Sequence, residues 1–177
     1  MKYWFISDCH FGHTNIIKYC NRPFKSVEKM DEVLIRNWNS KVKPGDIVYY
    51  LGDFCMGDPD YYLNKLNGDI YFIRGSHDKK IKICDKIKEI ADIKIIDIPN
   101  VNNIIVLCHY AMRTWPGSHY NSWQLYGHSH GRLEPQGKQM DVGVDCNNFS
   151  PISLSEVIRI MNSKPNNFDF VGNLKKE

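Results

Sequence analysis

Tyr3-Trp4-Phe5-Ile6-Ser7-Asp8-Cys9-His10 is the stretch whose reading decides the fold. Its first four residues are apolar without alternation, the pattern of a strand buried on both faces. The run breaks off at two side chains able to bind a metal. In extended backbone, residues two apart point the same way, so Asp8 and His10 are expected to reach one spot while Cys9 faces away.

Working outward, the first half repeats this plan. A turn follows around Phe11-Gly12-His13-Thr14-Asn15, with a short helix predicted over 15–19. Ser26 caps a second helix over 27–39, whose apolar side is Met30, Val33, Leu34 and Trp38. A second buried strand, Ile47-Val48-Tyr49-Tyr50-Leu51, ends in Gly52-Asp53. Asp58-Pro59 opens a helix that stops at Asn67-Gly68. A third strand, Ile70-Tyr71-Phe72-Ile73, ends in Arg74-Gly75-Ser76-His77-Asp78, and a helix is predicted through Ile81, Cys84 and Ile87. Strand–helix alternation of this kind gives an α/β fold with parallel strands.

The second half changes character. Strands are predicted over 93–98 and 103–108, joined at Pro99-Asn100, with the latter ending at His109. A long loop carries Arg113, Trp115 and Tyr120, and the strand Trp123–Tyr126 ends in Gly127-His128-Ser129-His130. A hairpin is predicted over 132–144, turning at Gln136-Gly137. Ser153 and Glu156 form a capping box for a last helix, and Phe168–Val171 can add an edge strand.

With 177 residues, ordinary apolar and charged fractions and a net charge of +3, the chain is expected to be one globular domain, 1–177. That charge is too small to argue for nucleic acid by itself. No apolar run spans a bilayer, and the first residues show no signal-peptide pattern, so a cytoplasmic location is expected. The six cysteines are scattered without CxxC spacing and read as buried free thiols.

Five strand ends thus carry Asp8/His10, Asp53, Ser76/His77/Asp78, His109 and His128/His130. Ligands of open α/β sheets bind beyond the carboxyl ends of strands. Glycines 52, 75 and 127 are expected to let the backbone turn sharply there. Carboxylates and imidazoles without thiolate suit Zn, Mn or Fe. The candidate ligands outnumber what one tetrahedral ion needs, and two ions about 3.5–4 Å apart would use them all.

Asp8-x-His10, Gly52-Asp53, Gly75-Ser76-His77-Asp78, His109 and Gly127-His128-Ser129-His130, in this order, resemble the calcineurin-like metallophosphoesterases, in particular the small single-domain bacterial and phage members. The resemblance implies a four-layer α/β/β/α sandwich of two mixed sheets flanked by helices, the metallo-dependent phosphatase fold. It also implies two divalent ions (Mn, Zn, Fe or Ni). Asp8, His10 and His130 would hold the first, His109 and His128 the second, and Asp53 would bridge. His77 would stand beside the phosphoryl group, stabilising charge or protonating the leaving oxygen. In the family's third motif an asparagine precedes this histidine and ligates the second metal; here it is Ser76, a shorter and poorer ligand, so the second site is expected to be weak.

The function expected is hydrolysis of a phosphodiester or phosphomonoester by in-line attack of a metal-bound hydroxide. The partner is a small phosphate ester, a nucleotide or a nucleic-acid end, and no membrane. The alternative is the same fold reused as a protein-interaction scaffold with an impaired second site. His13, Arg22, Arg74 and Arg113 are candidates for phosphate contacts, and Trp115 and Tyr120 for stacking on a base.

Overall fold

The computed structural model describes residues 1–99 and 101–172. In chain order the elements are β1 (Tyr3–Ile6), α1 (Thr14–Tyr19), α2 (Val27–Lys41), β2 (Ile47–Leu51), α3 (Pro59–Leu63), β3 (Asp69–Ile73), β4 (Ile87–Ala91), β5 (Ile93–Ile96), β6 (Ile105–Cys108), β7 (Trp123–Tyr126), β8 (Gln139–Asp141), β9 (Ile152–Ser153) and α4 (Leu154–Ser163). Helix starts follow the local rules: the Ser26 hydroxyl accepts from Lys29 N, Asp58 caps α3 with Pro59 at its first position, and Ser153 and Glu156 close a reciprocal box.

Two mixed sheets result, as expected. The first has the order β4-β3-β2-β1-β9, the second β5-β6-β7-β8. β1 to β4 run parallel and β9 antiparallel; β6, β7 and β8 run parallel and β5 antiparallel. One core lies between the first sheet and α1–α3, joining Ile6, Val48, Tyr50 and Phe72 to Met30, Leu34 and Trp38. A second core lies between the sheets, joining Phe5, Tyr49 and Leu51 to Ile105, Leu107 and Leu125, with Val157 and Met161 of α4 at its side. Residues of β1 and β2 thus face one core or the other in turn, which is why their sequence shows no alternation. Gln124 of β7 holds the start of the 110–122 segment, donating from Nε2 to Tyr110 O and accepting at Oε1 from Met112 N.

Three expected elements differ. No helix follows Asp78: Ile87–Ala91 is a strand, added in parallel to β3 through a bulge at Ile70/Tyr71. The carboxylate that could have capped a helix there is spent instead on three backbone amides, those of Asp53, Phe54 and Gly75. No hairpin forms over 132–144, because β8 pairs in parallel with β7. Phe168–Val171 is a turn and coil; Phe170 N donates to Asn167 O. Asn100, half of the turn expected at Pro99-Asn100, lies outside the described residues. Nor are all six thiols buried: Cys84 and Cys146 are exposed. Among the described residues, no helix is long and apolar enough to cross a membrane.

The topology sets five strand ends on one rim. Just beyond β1, Ser7 bridges to Gly143, which follows β8: Ser7 N donates to Val142 O and Val144 N to Ser7 O. The two sheets are thereby stitched together where both sets of candidate ligands emerge.

Candidate metal centre

The backbone itself marks this rim. Nine non-glycine residues among those described have positive φ, and five of them are Asp8 (58°), His10 (50°), Asp53 (58°), His128 (65°) and His130 (50°). Such left-handed conformations cost free energy and persist where surrounding structure over-determines them. They also correct the geometric expectation. Asp8/His10 and His128/His130 do not converge because an extended strand points them the same way. They converge because the chain kinks at both members of each pair. Interlocking loops hold the kinks: Asp8 N donates to Gly52 O, and His10 N to Asp53 O.

The glycines serve differently from each other. Gly52 turns at φ +86°, as expected, and a Cβ there would also stand 2.5 Å from His109 Nδ1. Gly75 and Gly127 have no positive φ and are needed for space. A Cβ on Gly127 would stand 2.4 Å from Asp8 Oδ2, and one on Gly75 2.4 Å from Asp53 Oδ1.

Besides Cys20, His130 and Asp145, two groups of donor atoms lie each within 4.8 Å of one another: Asp8, His10 and His130, and Asp53, His109 and His128. Asp53 lies between them. Its Oδ2 is 3.6 Å from His10 Nε2 and 3.5 Å from His109 Nε2. Its Oδ1 accepts from His77 N at 3.0 Å, and the Ser76 hydroxyl lies 3.2 Å from both carboxylate oxygens. His77 Nε2 is 4.0 Å from Asp53 Oδ2, on a side chain 43 % exposed. The structure thus gathers all seven side chains named from sequence as ligands, with His77 at their open side.

Outer partners aim the imidazoles. His109 Nδ1 donates to Leu51 O at 2.7 Å, and His130 Nδ1 to Asp145 Oδ2 at 2.7 Å. Carboxylate or carbonyl acceptors behind a histidine are what fix a ligating ring. Asp8 accepts from Ser7 Oγ and from His128 N. Sequence reasoning missed Asp145; its only trace was a carboxylate four residues after Asp141, just past the segment read as a hairpin.

The electrostatics fit a cation. Nε2 of His10 and of His109 are both buried without any hydrogen-bond partner, which is costly unless something else fills that role. Burial raises the Asp8 carboxyl to about 7, against the opposing pull of His109 and His130. It lowers His10 to about 3, outweighing the attraction of Asp53. Burial also opposes ionisation of Asp53 and His109, yet their mutual contact prevails, holding the first below and the second above its ordinary range. Two buried imidazole nitrogens that face one carboxylate at 3.5–3.6 Å, with no hydrogen-bond partner of their own, are the complement of a divalent ion. We expect Mn or Zn at a hundredfold excess over its dissociation constant to stabilise the fold by about 2.7 kcal/mol. For a chain of this size that is a rise of roughly 5–10 °C in melting temperature, reversed by chelator. An unchanged melting curve would count against the site.

The other sequence candidates separate. His13 stands at the rim, with Nδ1 3.3 Å from His10 Nδ1. Arg22 does not face the cleft. Its side chain is fully buried; it donates to Asp145 from Nε and Nη2 (2.8 Å each), to Asp8 O (2.7 Å) and to Cys9 O (3.0 Å). It therefore satisfies carbonyls at the Asp8 kink and is unavailable to phosphate. Arg74 and Arg113 are exposed, and no described contact joins either to the cluster. Trp115 is buried, donating from Nε1 to Ser122 O, and so packs its own loop, whereas Tyr120 is 66 % exposed.

No protein-family model matches the sequence. The uncharacterized protein MJ1445 of Methanocaldococcus jannaschii is 36 % identical over 175 residues, covering 90 % of this chain and 91 % of that protein. The gene 66 protein of Mycobacterium phage L5 is 33 % identical over 81 residues, 42 % of this chain and 39 % of that one. Among solved structures, the protein of unknown function AQ665 from Aquifex aeolicus superposes with a TM-score of 0.69 at 28 % identity, over 90 % of this chain and 98 % of the other. With more than a third of its residues shared over nearly the whole of both sequences, the chain belongs to the same family as MJ1445.

Proposed function

We propose that this protein is a divalent-metal-dependent phosphoesterase of the calcineurin-like type. The observation that carries the reading is Asp53, whose carboxylate stands within 3.6 Å of two buried imidazole nitrogens from separate ligand groups, neither of which has another partner. Asp8, His10 and His130 would hold one ion, His109 and His128 the other, with Asp53 between. Two divalent ions so placed lower the pKa of water and neutralise phosphoryl oxygens during in-line displacement. Around them, Asp145 and Leu51 O keep His130 and His109 in the orientation that presents Nε2. His77, anchored through its amide to Asp53 and open to solvent at its ring, is placed to hydrogen-bond a phosphoryl or leaving oxygen.

Ser76 favours the scaffold reading, since its hydroxyl offers the second ion less than an amide oxygen would. Hydrolysis of an aryl phosphate diester with added Mn discriminates. We expect turnover by the protein as it stands, and Ser76→Asn to raise both turnover and the occupancy of a second ion, by about tenfold in affinity. No activity in either form would leave the scaffold reading standing. Equal activity and occupancy in the two would remove residue 76 from the ligand set.

A further inference from the structure

Beside the metal centre lies a cleft of about 300 Å³, with Met56 and Pro59 on one wall and Ser76, His77, Lys79 and Lys80 on the other. Ser76 and His77 belong to both, so a group leaving the metal centre past His77 enters the cleft. Its size is at the lower end for small-molecule sites.

The turn that carries the lysines is pinned at each end. Asp78 is buried, its carboxylate accepting from the amides of Asp53, Phe54 and Gly75, and Ile81 is buried in the helix-side core, its amide donating to Asp78 O. Between these anchors, Lys79 and Lys80 are forced outward. Both are exposed, and neither is among the lysines that form ion pairs in the described residues. The acidic neighbour is turned inward and saturated, which leaves two positive charges beside His77 without an ion pair to it. Farther out the cleft continues past Pro59 and Lys80 to Asp58, Asp60 and Lys82, where both signs mix. Lys79 thus lines only the cleft beside His77, and Lys80 lines both parts.

Resting on the phosphoesterase reading, we propose that the substrate is a small phosphoanhydride, whose leaving group carries a second phosphate seated against Lys79 and Lys80. Hydrolysis then consumes one water. Its oxygen bonds to the attacked phosphorus, the bridging P–O bond breaks, the departing phosphate keeps the bridging oxygen and its electron pair, and the water's protons pass to products and solvent. Two short-range positive charges facing a phosphate suit this leaving group better than a neutral alcohol.

The test compares the full-length Mn-loaded protein with its K79Q/K80Q variant, on adenosine diphosphate and on an aryl phosphate diester. We expect kcat/KM for the diphosphate to fall about tenfold in the variant while that for the diester stays within about twofold. The dissociation constant of α,β-methylene adenosine diphosphate, read by calorimetry, should rise about tenfold in parallel. Equal losses on both substrates, no loss on the diphosphate, or cleavage of a 5′-phosphorylated oligonucleotide but not the diphosphate would overturn the proposal. If neither the wild-type protein nor Ser76→Asn hydrolyses either substrate, the phosphoesterase reading fails. The calorimetry then still decides the cleft: binding lost in the variant upholds phosphate recognition there, and equal binding overturns it.

Discussion

Asp53→Asn is expected to reduce hydrolysis of an aryl phosphate diester by at least about a thousandfold, with the fold intact. The substitution keeps the side chain's size and its acceptor for His77 N, now 3.0 Å away. It removes the negative charge and can place an amide N–H where Oδ2 meets His10 and His109 Nε2. A carboxylate can serve two cations at once; a neutral amide does so poorly. Both ligand groups lose their shared anion, so metal content should fall with activity. The measurements are kcat/KM and ions bound per chain, with circular dichroism as the control for folding. An asparagine variant that keeps two ions and a tenth or more of the activity would show that Asp53 does not bridge.

The second large effect falls on stability. Asp145→Ala leaves the Arg22 guanidinium buried with its counter-ion removed, where its side chain is fully covered and Asp145 had accepted two of its hydrogen bonds. Breaking a buried pair from one side costs about 3–5 kcal/mol, because the remaining charge is uncompensated. Urea denaturation should show a loss of that size. The same change frees His130 Nδ1 from its 2.7 Å acceptor, so the first ion should bind about 10- to 100-fold more weakly. Replacing both partners by apolar residues often rescues a buried pair. Here it should not, since Arg22 also supplies donors to the carbonyls of Asp8 and Cys9. A doubly apolar variant as stable as the wild type would show that those two bonds contribute little.

These two residues also mark how far the sequence could be read. Asp53 was legible because it ends an apolar run in company with a glycine; the same signature recurs at His77 and His128, while Asp8 and His109 end apolar runs without the glycine. Asp145 was not. It follows β8, whose parallel pairing with β7 is a long-range fact, and its partners His130 and Arg22 are 15 and 123 residues away in sequence. Arg22 looked like a phosphate ligand because guanidinium suits phosphate; only its burial against the Asp8 kink shows what it binds instead. The segment after Asp78 has Ile81, Cys84 and Ile87 at helical spacing, yet Ile87–Ala91 pairs with β3 at the sheet edge as a strand.

By itself the sequence determined the strands buried on both faces, the capped helices and the set of side chains that gather at the strand ends. Those are local matters of apolar runs, capping residues and chemical type, each readable within a few residues. The tertiary structure alone decided that the chain kinks at Asp8, His10, Asp53, His128 and His130, which of Gly52, Gly75 and Gly127 turn and which make room, and which polar groups lie behind the ligands. The reason is physical: such conformations are unfavourable locally and are held by hydrogen bonds and packing between segments up to a hundred residues apart or more, which no short window of sequence contains.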